Sequence, residues 1–458
     1  MKNLIYILSL FIVVLFACKR DQSIDLNPAN KLNFSTDSVL FDTVFTTIGT
    51  TTRSFKVFNT SKNNIEISNI RLVGGATSAF KININGAAQT SVSNIKLNGK
   101  DSIYIFIKAV INPNEANAPF LVQDTLEFLT NGNLQKIPVL AYGQNAVYLN
   151  AETISNNFTF TKKIPYIIFD YLKIAKNVTA VVEPGAKLYF HGGSELSVYG
   201  TLQVNGVLKD TVTFCSDRTE RIYRDEPGQW KGIRFYETSI NNTINYSTIK
   251  NAIVGLWLDS MSVNPKLLLT NSIVKNHTVA GILAYNTHIV GINNLFYNCG
   301  MHLLAARLGG NYSFYQNTFY NSNNNFIRDS EAVYFSDNLE NGSNKYENLT
   351  LNFINNIVWG SLDNEFLTVK KGLKQFILNV STNLLKTNKT VNVGNNVLIQ
   401  DPLFEDTKKE NFKLVSNSPA SNAGFNLSSN SYFNRFIIKD LTGANRNFPS
   451  DLGCLEIK

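Results

Sequence analysis

Apolar and polar residues recur at a fixed spacing through the second half of the chain. Four copies of a five-residue motif, at residues 247–251, 272–276, 294–298 and 317–321, have an apolar residue at the centre and Asn at the end. The terminal Asn residues lie 22 to 25 positions apart, the length of one short-stranded coil of a β-solenoid. The spacing predicts stacked parallel strands, with the central residues inside and a ladder of hydrogen-bonded terminal Asn side chains at a turn.

Two weaker copies of the motif continue the series at residues 356–360 and 383–387. The 39 positions from Asn321 to Gly360 are too many for one coil. Long insertions between stacked elements usually lie on the surface as loops. We therefore expect a loop that leaves the solenoid within residues 323–347.

Shorter alternating segments precede the repeats. Alternation broken by Gly at residues 182–190 and 196–206 predicts the first strands of the solenoid, joined by tight turns. Between residues 37 and 146, about six short alternating segments are separated by Asn, Gly and Pro, which favours a two-sheet sandwich. The predicted fold is all-β, with an immunoglobulin-like β-sandwich over residues 37–146 and a solenoid with a closing segment over residues 147–458.

The N-terminal residues have the pattern of a secretory signal. Lys2 precedes an apolar run over residues 4–16, which is too short to remain in a bilayer as a spanning helix. The run ends in Leu-Phe-Ala-Cys, with Cys at position 18, and this box resembles the signal of bacterial lipoproteins. The resemblance implies that residues 1–17 are removed and that Cys18 is acylated, which would anchor the protein stably in a membrane.

Residues 18–36 are polar and are expected to form a tether between the lipid and the first folded domain. Residues 19–22 loosely resemble the export tag of surface lipoproteins of Bacteroidetes. The resemblance implies a lipid-anchored location at the bacterial outer membrane, with both the periplasmic and the cell-surface face open.

Charge and cysteine content narrow the possible functions. The formal net charge is +8, and no run of Lys or Arg is long enough to follow a phosphate backbone, so we expect no nucleic-acid partner. After Cys18 the chain contains only Cys215, Cys299 and Cys454. An odd number of cysteines in apolar surroundings favours buried thiols over a disulfide framework. The oligomeric state does not follow from the sequence.

Several segments resemble known families. Residues 55–61 resemble the strand and turn of Hydin-like immunoglobulin-type domains, which are usually spacers or adhesion modules. The Gly-broken strands, residues 227–233 and the Asn repeats resemble right-handed parallel β-helix proteins of the pectate-lyase-like group, over residues 165–458. Residues 401–456 look like the closing segment of secreted β-helix proteins. As a whole, the chain resembles β-helix lipoproteins of Bacteroidetes, which implies an architecture rather than an activity.

An enzyme of the pectate-lyase-like group would need further residues. Its lyases use Ca²⁺ held by clustered carboxylates together with a Lys or Arg base, and its hydrolases use paired carboxylates. The sequence contains no Asp-Asp pair, no Gly-His-Gly segment and no Asp-rich calcium loop. We expect no cofactor and no metal site, with Ca²⁺ only under the lyase alternative, and no catalytic residue is assigned. His191, His277, His288 and His302 are expected on turns or the surface.

One segment, residues 217–230, is dense in functional groups, with three Arg, four carboxylates, a Tyr and a Trp. Such a set can bind an acidic glycan, with guanidinium groups on a carboxylate or sulfate and aromatic rings against the sugar. The alternative is a solvated loop whose opposite charges pair with each other. The predicted ligand residues are Arg218, Arg221, Tyr223, Arg224, Asp225, Glu226 and Trp230.

The sequence therefore favours a lipid-anchored envelope protein that binds a glycan or a partner surface through the β-helix without catalysis. A polysaccharide lyase or glycoside hydrolase is one alternative, and a structural component of the envelope is another. Carboxylates and a Lys converging on one face of the solenoid would favour the enzyme, whereas an aromatic face would favour binding. The expected partners are the membrane, through the lipid, and an acidic glycan.

Overall fold

The computed structural model describes residues 23–50, 52–84, 87–260, 262, 264–322, 327–339, 344–388 and 396–457. The predicted signal peptide, residues 1–17, and Cys18 lie outside these ranges. The chain divides into two compact units after Asn145. In the described ranges, no helix has both the length and the apolar character that crossing a bilayer requires.

The first unit is an immunoglobulin-like β-sandwich. One sheet has the strand order β1-β3-β8-β5-β6 and the other β2-β10-β9-β4-β7. Neighbouring strands are antiparallel, except that β2 and β10 are parallel. The strands are β1 (Leu32–Phe34), β2 (Val39–Phe45), β3 (Arg53–Asn59), β4 (Ile65–Leu72), β5 (Phe80–Ile84), β6 (Ala87–Gln89), β7 (Ser91–Leu97), β8 (Ser102–Ala109), β9 (Phe120–Thr130) and β10 (Asn133–Gln144), with a 3₁₀ turn at Gly75–Thr77.

Alternating residues of the two sheets form the core of the sandwich. Phe55 and Val57 of β3 are buried, as are Ile105 and Ile107 of β8, and the residues between them lie on the outer face. Successive side chains of a strand point to opposite faces, so the alternation in the sequence becomes one apolar face and one polar face.

The predicted tether over residues 18–36 is wrong at its C-terminal end. Leu32–Phe34 forms strand β1, which pairs with β3, and Leu32 is buried in the sandwich core. The backbone N–H of Asp25 donates to the carbonyl of Asn64 at 2.7 Å. A three-residue edge strand needs only one buried side chain, and a single Leu in a polar stretch gave too weak a pattern to predict it.

The second unit is a parallel β-helix. Equivalent strands of successive coils pair in parallel, and they form three sheets. The strands are β11 (Val147–Ile154), β12 (Phe158–Phe160), β13 (Tyr166–Ile174), β14 (Thr179–Val182), β15 (Lys187–Phe190), β16 (Glu195–Val198), β17 (Thr201–Asn205), β18 (Val212–Ser216), β19 (Gly232–Phe235), β20 (Asn242–Asn245), β21 (Ser247–Lys250), β22 (Val254–Asp259), β23 (Leu267–Thr270), β24 (Ile273–His277), β25 (Ala280–Ile292), β26 (Leu295–Cys299), β27 (His302–Tyr315), β28 (Thr318–Asn321), β29 (Val333–Ser336), β30 (Leu349–Ile354), β31 (Ile357–Gly360), β32 (Phe366–Val369), β33 (Phe376–Ser381), β34 (Leu384–Leu385) and β35 (Val397–Leu398).

The solenoid begins with β11, β12 and β13, where β12 pairs with β14 and β13 pairs with β11, β15 and β16. From there three sheets continue along it, and β35 pairs with β34 at the end. The first sheet runs from β16 through β19, β22, β25, β27 and β29 to β32. The second runs from β14 through β17, β20, β23, β25, β27 and β30 to β33. The third runs from β15 through β18, β21, β24, β26, β28 and β31 to β34. Strands β25 and β27 bend at a corner and so belong to both the first and the second sheet.

The central apolar residues of the repeats form a buried column in the third sheet. Ile249, Val274, Phe296, Phe319 and Val358 are in register from coil to coil, and all are fully buried. The rings of Phe296 and Phe319 stack with centroids 4.6 Å apart and planes 5° from parallel. The predicted register of the repeat is confirmed.

A ladder of Asn side chains runs through the buried corner between the second and third sheets. The backbone N–H of Asn294 donates to Oδ1 of Asn317 at 2.9 Å. The same contact joins Asn317 to Asn356 at 2.9 Å and Asn356 to Asn383 at 2.8 Å. The side-chain Nδ2 of each of these Asn residues also donates to the Oδ1 of the Asn in the next coil. The ladder therefore satisfies both backbone N–H groups and side-chain amides that are buried.

The ladder uses the Asn that precedes each strand, so the predicted ladder of terminal Asn residues is wrong. Asn251, Asn276 and Asn298 have φ angles of 68°, 57° and 56°. These angles lie in the left-handed region, which Asn enters more readily than most residues. Asn251, Asn276 and Asn298 thus lie where the chain turns, whereas Asn294, Asn317 and Asn356 join the coils. The terminal Asn321 differs from the other three, because its Oδ1 accepts from the backbone N–H of Cys299 in the preceding coil at 3.0 Å.

The long gap in the repeat contains a strand as well as connecting residues, and the loop predicted within residues 323–347 includes residues 323–326 and 340–343, which lie outside the described ranges. Strand β29 (Val333–Ser336) lies within it and pairs with β27 and β32 in the first sheet. The strand was missed because its four residues contain one polar position and lie in an Asn-rich stretch.

Residues 401–457, here called the C-terminal segment, return along the outside of the solenoid. Strands β36 (Phe404–Asp406) and β37 (Asn411–Leu414) form a hairpin around a 3₁₀ turn at Thr407–Lys409. Phe412 of this hairpin packs on Tyr297 of the third sheet, with the ring centroids 4.9 Å apart. The segment therefore covers apolar surface that the third sheet leaves on its outer face.

The rest of the C-terminal segment is fixed to the solenoid by buried polar groups. A π-helical turn, Phe433–Ile437, is followed by Lys439, and the carbonyls of Phe436 and Lys439 accept from Nδ2 of Asn293 at 2.6 and 2.7 Å. The buried Arg446 guanidinium donates to Oδ1 of Asn293 at 3.0 Å. These contacts tie the segment to a coil about 150 residues earlier in the chain.

Candidate functional site

The Arg-rich loop, residues 217–229, lies at the corner between the third and first sheets, where it connects β18 to β19. Trp230 follows it and is fully buried. The indole stacks on Phe190 with the ring centroids 4.0 Å apart, and Nε1 donates to the carbonyl of Lys250 at 2.8 Å. The prediction that Trp230 contacts a ligand is therefore wrong: its ring packs beneath the loop, where both its apolar surface and its N–H are satisfied.

Charges within the Arg-rich loop pair with each other. Nε of Arg218 lies 3.2 Å from a carboxylate oxygen of Glu220, and its guanidinium carbon lies 3.9 Å from the ring centroid of Tyr223. Nε of Arg224 lies 3.2 Å from a carboxylate oxygen of Asp225. Exposed pairs of this kind contribute only about 0–1 kcal/mol each. This is the arrangement that the salt-bridged alternative describes.

The loop is also fixed to the third sheet. Nζ of Lys250 lies 2.9 Å from Oδ1 of Asp225, and Nζ of Lys275 lies 3.9 Å from the same oxygen. Burial disfavours the charged form of Asp225, but the hydrogen bond and the charge of Lys250 outweigh it and lower the pKa of this carboxyl. Arg221 and Glu226 remain exposed on the loop.

A histidine and an aspartate that the sequence analysis did not connect meet at the same corner. Nδ1 of His191 lies 2.7 Å from Oδ2 of Asp217. The Asp217 side chain is 8% exposed and the His191 side chain 49%. Burial raises the pKa of the Asp217 carboxyl, and the bond to His191 acts in the opposite direction. The residues are 26 positions apart, about one coil, and that spacing is the signal that identifies the pair in the sequence.

Two other histidines are buried, so their predicted place on turns or the surface is wrong. His277 is fully buried, and its Nδ1 accepts from the backbone N–H of Ala252 at 3.2 Å. Burial lowers the pKa of His277 to about 4. His302 is also buried, and its Nδ1 lies against the carbonyl of Glu331 at 2.6 Å. Both side chains are held within the fold.

The three cysteines are free and buried, as the sequence predicted. Burial raises the pKa of the thiols of Cys215 and Cys299 to about 12 and of Cys454 to about 11. Thiols with such pKa values remain protonated at neutral pH and are poor nucleophiles. These side chains act as small apolar groups of the core.

A row of aromatic and charged side chains covers the outer face of the first sheet. Arg234 of β19 is in register with Trp257 of β22, and Asp259 of β22 is in register with Tyr285 of β25. Paired strands are about 4.8 Å apart, so side chains at equivalent positions touch. We define the aromatic face as the half-buried residues Tyr199, Arg234, Tyr236, Trp257, Asp259 and Tyr285.

The side chains of the aromatic face hold each other in place. The rings of Tyr199 and Tyr236 stack with centroids 4.1 Å apart. The guanidinium carbon of Arg234 lies 4.7 Å from the Tyr236 ring centroid and 4.4 Å from that of Trp257. Arg234 Nη2 donates to Asp259 at 3.1 Å, and Trp257 Nε1 donates to Asp259 at 3.0 Å. The row is therefore ordered before any ligand binds.

A buried lysine supports this row from beneath. Nζ of Lys266 donates to the carbonyls of Tyr236 at 3.1 Å and Glu237 at 3.3 Å, and also to the carbonyl of Asp259. Burial lowers the pKa of Lys266 to about 8. The amine thus satisfies backbone carbonyls of the two coils that carry the aromatic face.

The carboxylates of the aromatic face and its border are held by neighbouring side chains. Glu195 accepts from the Tyr236 hydroxyl at 3.2 Å and from Ser197, whereas Asp259 accepts from Arg234 and Trp257. Glycoside hydrolases need two carboxyl groups that face one sugar linkage. Across the described ranges, no three His, Cys, Asp or Glu side chains are grouped so that they could hold a metal ion.

No protein-family model and no curated protein sequence matches the chain. Among solved structures, a PapD-like domain of human CEP192 is similar over 28% of this chain and 94% of that domain, with 7% identity and a TM-score of 0.18. A family 123 glycoside hydrolase from Clostridium perfringens is similar over 26% of this chain and 30% of that enzyme, with 9% identity and a TM-score of 0.19.

The catalytic unit of a GH87 alpha-1,3-glucanase from Streptomyces thermodiastaticus is similar over 73% of this chain and 74% of that unit, with 10% identity and a TM-score of 0.34. All three TM-scores lie below 0.5, so none of these likenesses indicates a function.

Proposed function

We propose that this protein is a lipid-anchored component of a bacterial envelope that binds a glycan through the aromatic face. The observation that carries the proposal is the ordered, half-exposed row in which Arg234 lies between the rings of Tyr236 and Trp257. A sugar ring offers an apolar face and a rim of hydroxyl groups. Aromatic rings match the first, and guanidinium, phenol and indole groups match the second.

Binding without catalysis fits the carboxylates of this region. Glu195 and Asp259 are each engaged by neighbouring side chains of the face. An inverting or retaining hydrolase requires two carboxyl groups placed about 5–9.5 Å apart across the linkage. Because both carboxylates hold side chains of the row in place, we favour a binding surface over a glycoside hydrolase, and the rigidity of the row lowers the entropic cost of holding a ligand.

The Arg-rich loop would extend this surface toward acidic sugars. It ends five residues before Arg234 of β19, and so borders the aromatic face. Nε of Arg218 and Nε of Arg224 each contact a carboxylate of the loop. The rest of the proposed border consists of Arg221, Tyr223, Asp225 and Glu226. A sulfate or uronate group would replace a carboxylate of the loop as the partner of an Arg guanidinium.

Glycan binding is tested with the soluble chain from Lys19 to Lys458 on an array of neutral and acidic glycans. Trp257→Ala and Arg234→Lys should each weaken glycan binding at least about tenfold. The first removes the indole ring that would lie against the sugar, and the second replaces the planar guanidinium by an ammonium group that cannot form paired hydrogen bonds. Tyr104→Ala is the matched control and should bind like wild type, because Tyr104 is an aromatic residue of the sandwich, outside the aromatic face, and is 50% exposed. Unchanged binding in both aromatic-face variants would refute the proposal.

The lipid anchor is a separate part of the proposal. The Leu-Phe-Ala-Cys box supports acylation of Cys18, and the segment from Lys19 onward would then lie outside the bilayer. Cells fed a clickable palmitate should label the wild-type protein but not Cys18→Ser. Equal labelling of the two would refute lipidation and would leave the glycan result unaffected.

A further inference from the structure

The His191–Asp217 pair lies at a defined place in the fold. His191 follows β15 and Asp217 follows β18, and Phe190 and Ser216 at the ends of these strands are paired in the third sheet. The two side chains therefore leave the same corner of the solenoid on adjacent coils. Asp217 is more than nine-tenths buried, whereas half of the His191 side chain reaches solvent.

The contacts around the pair orient the imidazole. Nδ1 of His191 lies 2.7 Å from Oδ2 of Asp217, and in the tautomer in which Nδ1–H donates to this carboxylate, Nε2 is the acceptor. Oδ1 of Asp217 is buried without a hydrogen-bond partner among the residues that the structure describes. The imidazole is therefore the group that the Asp217 carboxylate holds. The neighbouring charges, Arg218 and Glu220, are paired with each other.

The surface beside the imidazole has room for a ligand. A Cβ atom added to Gly193, two residues after His191, would meet no atom within 4 Å. The ring of Phe169 lies 4.7 Å from the imidazole centroid and forms an apolar wall on one side. The imidazole is thus held at Nδ1 by the buried carboxylate, while about half of its side chain stays open to solvent.

We propose that His191 and Asp217 form a proton-transfer site that hydrolyses acyl esters. One base with one orienting carboxylate cannot supply the two carboxyl groups that glycoside hydrolysis needs. Ester hydrolysis needs a single group that takes a proton and returns it, which an imidazole does efficiently near neutral pH. This site lies outside the aromatic face, and the proposal does not depend on glycan binding.

The reaction balances with water as the other reactant. Nε2 of His191 takes a proton from a water molecule, and the water oxygen forms a bond to the ester carbonyl carbon. The resulting intermediate loses the alcohol as the carbon–oxygen ester bond breaks, and Nε2 returns the proton to the leaving oxygen. The products are a carboxylic acid and an alcohol. Asp217 keeps its place and stabilises the imidazolium, so it is a positioning residue.

The test uses the full soluble chain and 4-nitrophenyl acetate as the probe. His191→Ala and His191→Gln should each lower the hydrolysis rate at least about tenfold relative to wild type. Asp217→Asn should lower the rate as well and move the midpoint of the pH–rate profile to lower pH, because it removes the charge that stabilises the imidazolium. A merely structural role of Asp217 would not move that midpoint. His288→Ala changes a half-exposed histidine of β25 and should match wild type.

Thermal melting of each variant distinguishes loss of chemistry from loss of the fold. The proposal is overturned if His191→Gln melts like wild type and hydrolyses the probe at the wild-type rate. It is also overturned if Asp217→Asn keeps both the rate and the pH–rate profile. Because the assay contains no glycan, failure of glycan binding and failure of this proposal give different results.

Discussion

Removing one side chain from the Asn ladder should destabilise the β-helix far more than removing the terminal Asn298 of the neighbouring repeat. In Asn317→Ala, the carbonyls of Gly291 and Tyr315 lose donors at 3.0 and 3.1 Å. The backbone N–H of Asn294 loses an acceptor at 2.9 Å. Asn317 is fully buried, and each unsatisfied buried group costs about 1–3 kcal/mol, so we expect a loss of about 3–5 kcal/mol.

The matched control is Asn298→Gly in the neighbouring coil. Asn298 is half-buried with a φ of 56°, a conformation that Gly adopts without strain. We expect its effect on the free energy of unfolding to lie within about 0.5 kcal/mol. The pair separates the two roles of Asn in the motif, because the variants lie in adjacent coils and differ in whether the side chain joins the coils.

Urea unfolding followed by circular dichroism measures the global effect. Repeat proteins can also open locally, so hydrogen exchange at the Asn294 amide should be measured alongside. The amide should exchange faster in Asn317→Ala and at the wild-type rate in Asn298→Gly. If Asn317→Ala costs less than about 0.5 kcal/mol, or if Asn298→Gly costs more than Asn317→Ala, the ladder does not stabilise the fold as argued.

Three further predictions concern the corner loop and the core. Trp230→Ala should cost about 3–5 kcal/mol in the free energy of unfolding, because it empties the space beneath the loop; a cost below about 1 kcal/mol in urea unfolding would contradict its burial. Replacing both Arg218 and Arg224 by Ala should change stability by less than about 1 kcal/mol but should weaken binding of an acidic glycan, as measured by melting and titration. Burial lowers the pKa of His277 to about 4, against 6.5 for a free histidine. The contribution of the neutral imidazole to the free energy of unfolding is therefore complete above pH 6.5, and about 3 kcal/mol of it is lost as the pH falls toward 4. His277→Gln should remove this part of the pH dependence of unfolding, and an unaltered profile would show that another group causes it.

The repeat predicted the solenoid well because the same physical demand recurs in every coil. Val274, Phe296 and Phe319 occupy equivalent positions, and each must be apolar because the column has no access to water. The sandwich was predictable for a related reason, since one face of each of its strands is buried. Both patterns are regular, and a regular pattern can be recognised in a sequence without knowing which residues contact each other in the folded protein.

The parts that sequence reasoning missed depend on contacts between residues of different coils. The row of Arg234 and Trp257 is invisible along the chain, because neither residue has an informative neighbour in sequence. The His191–Asp217 contact was missed for the same reason. Trp230 was misplaced because a dense cluster of charges says nothing about which way an aromatic residue among them points.

The return of the C-terminal segment to earlier coils has a consequence for the order of assembly. A ribosome makes the chain from its N-terminus, so the coil that carries Asn293 is finished about 150 residues before the Arg446 that contacts it. During synthesis, the outer surface around Tyr297 stays exposed until Phe412 has been made and packs against it. The nascent protein therefore passes through a stage in which its coils have stacked while the outer face of the third sheet still exposes apolar side chains. We expect chaperones to bind the chain mainly at that stage.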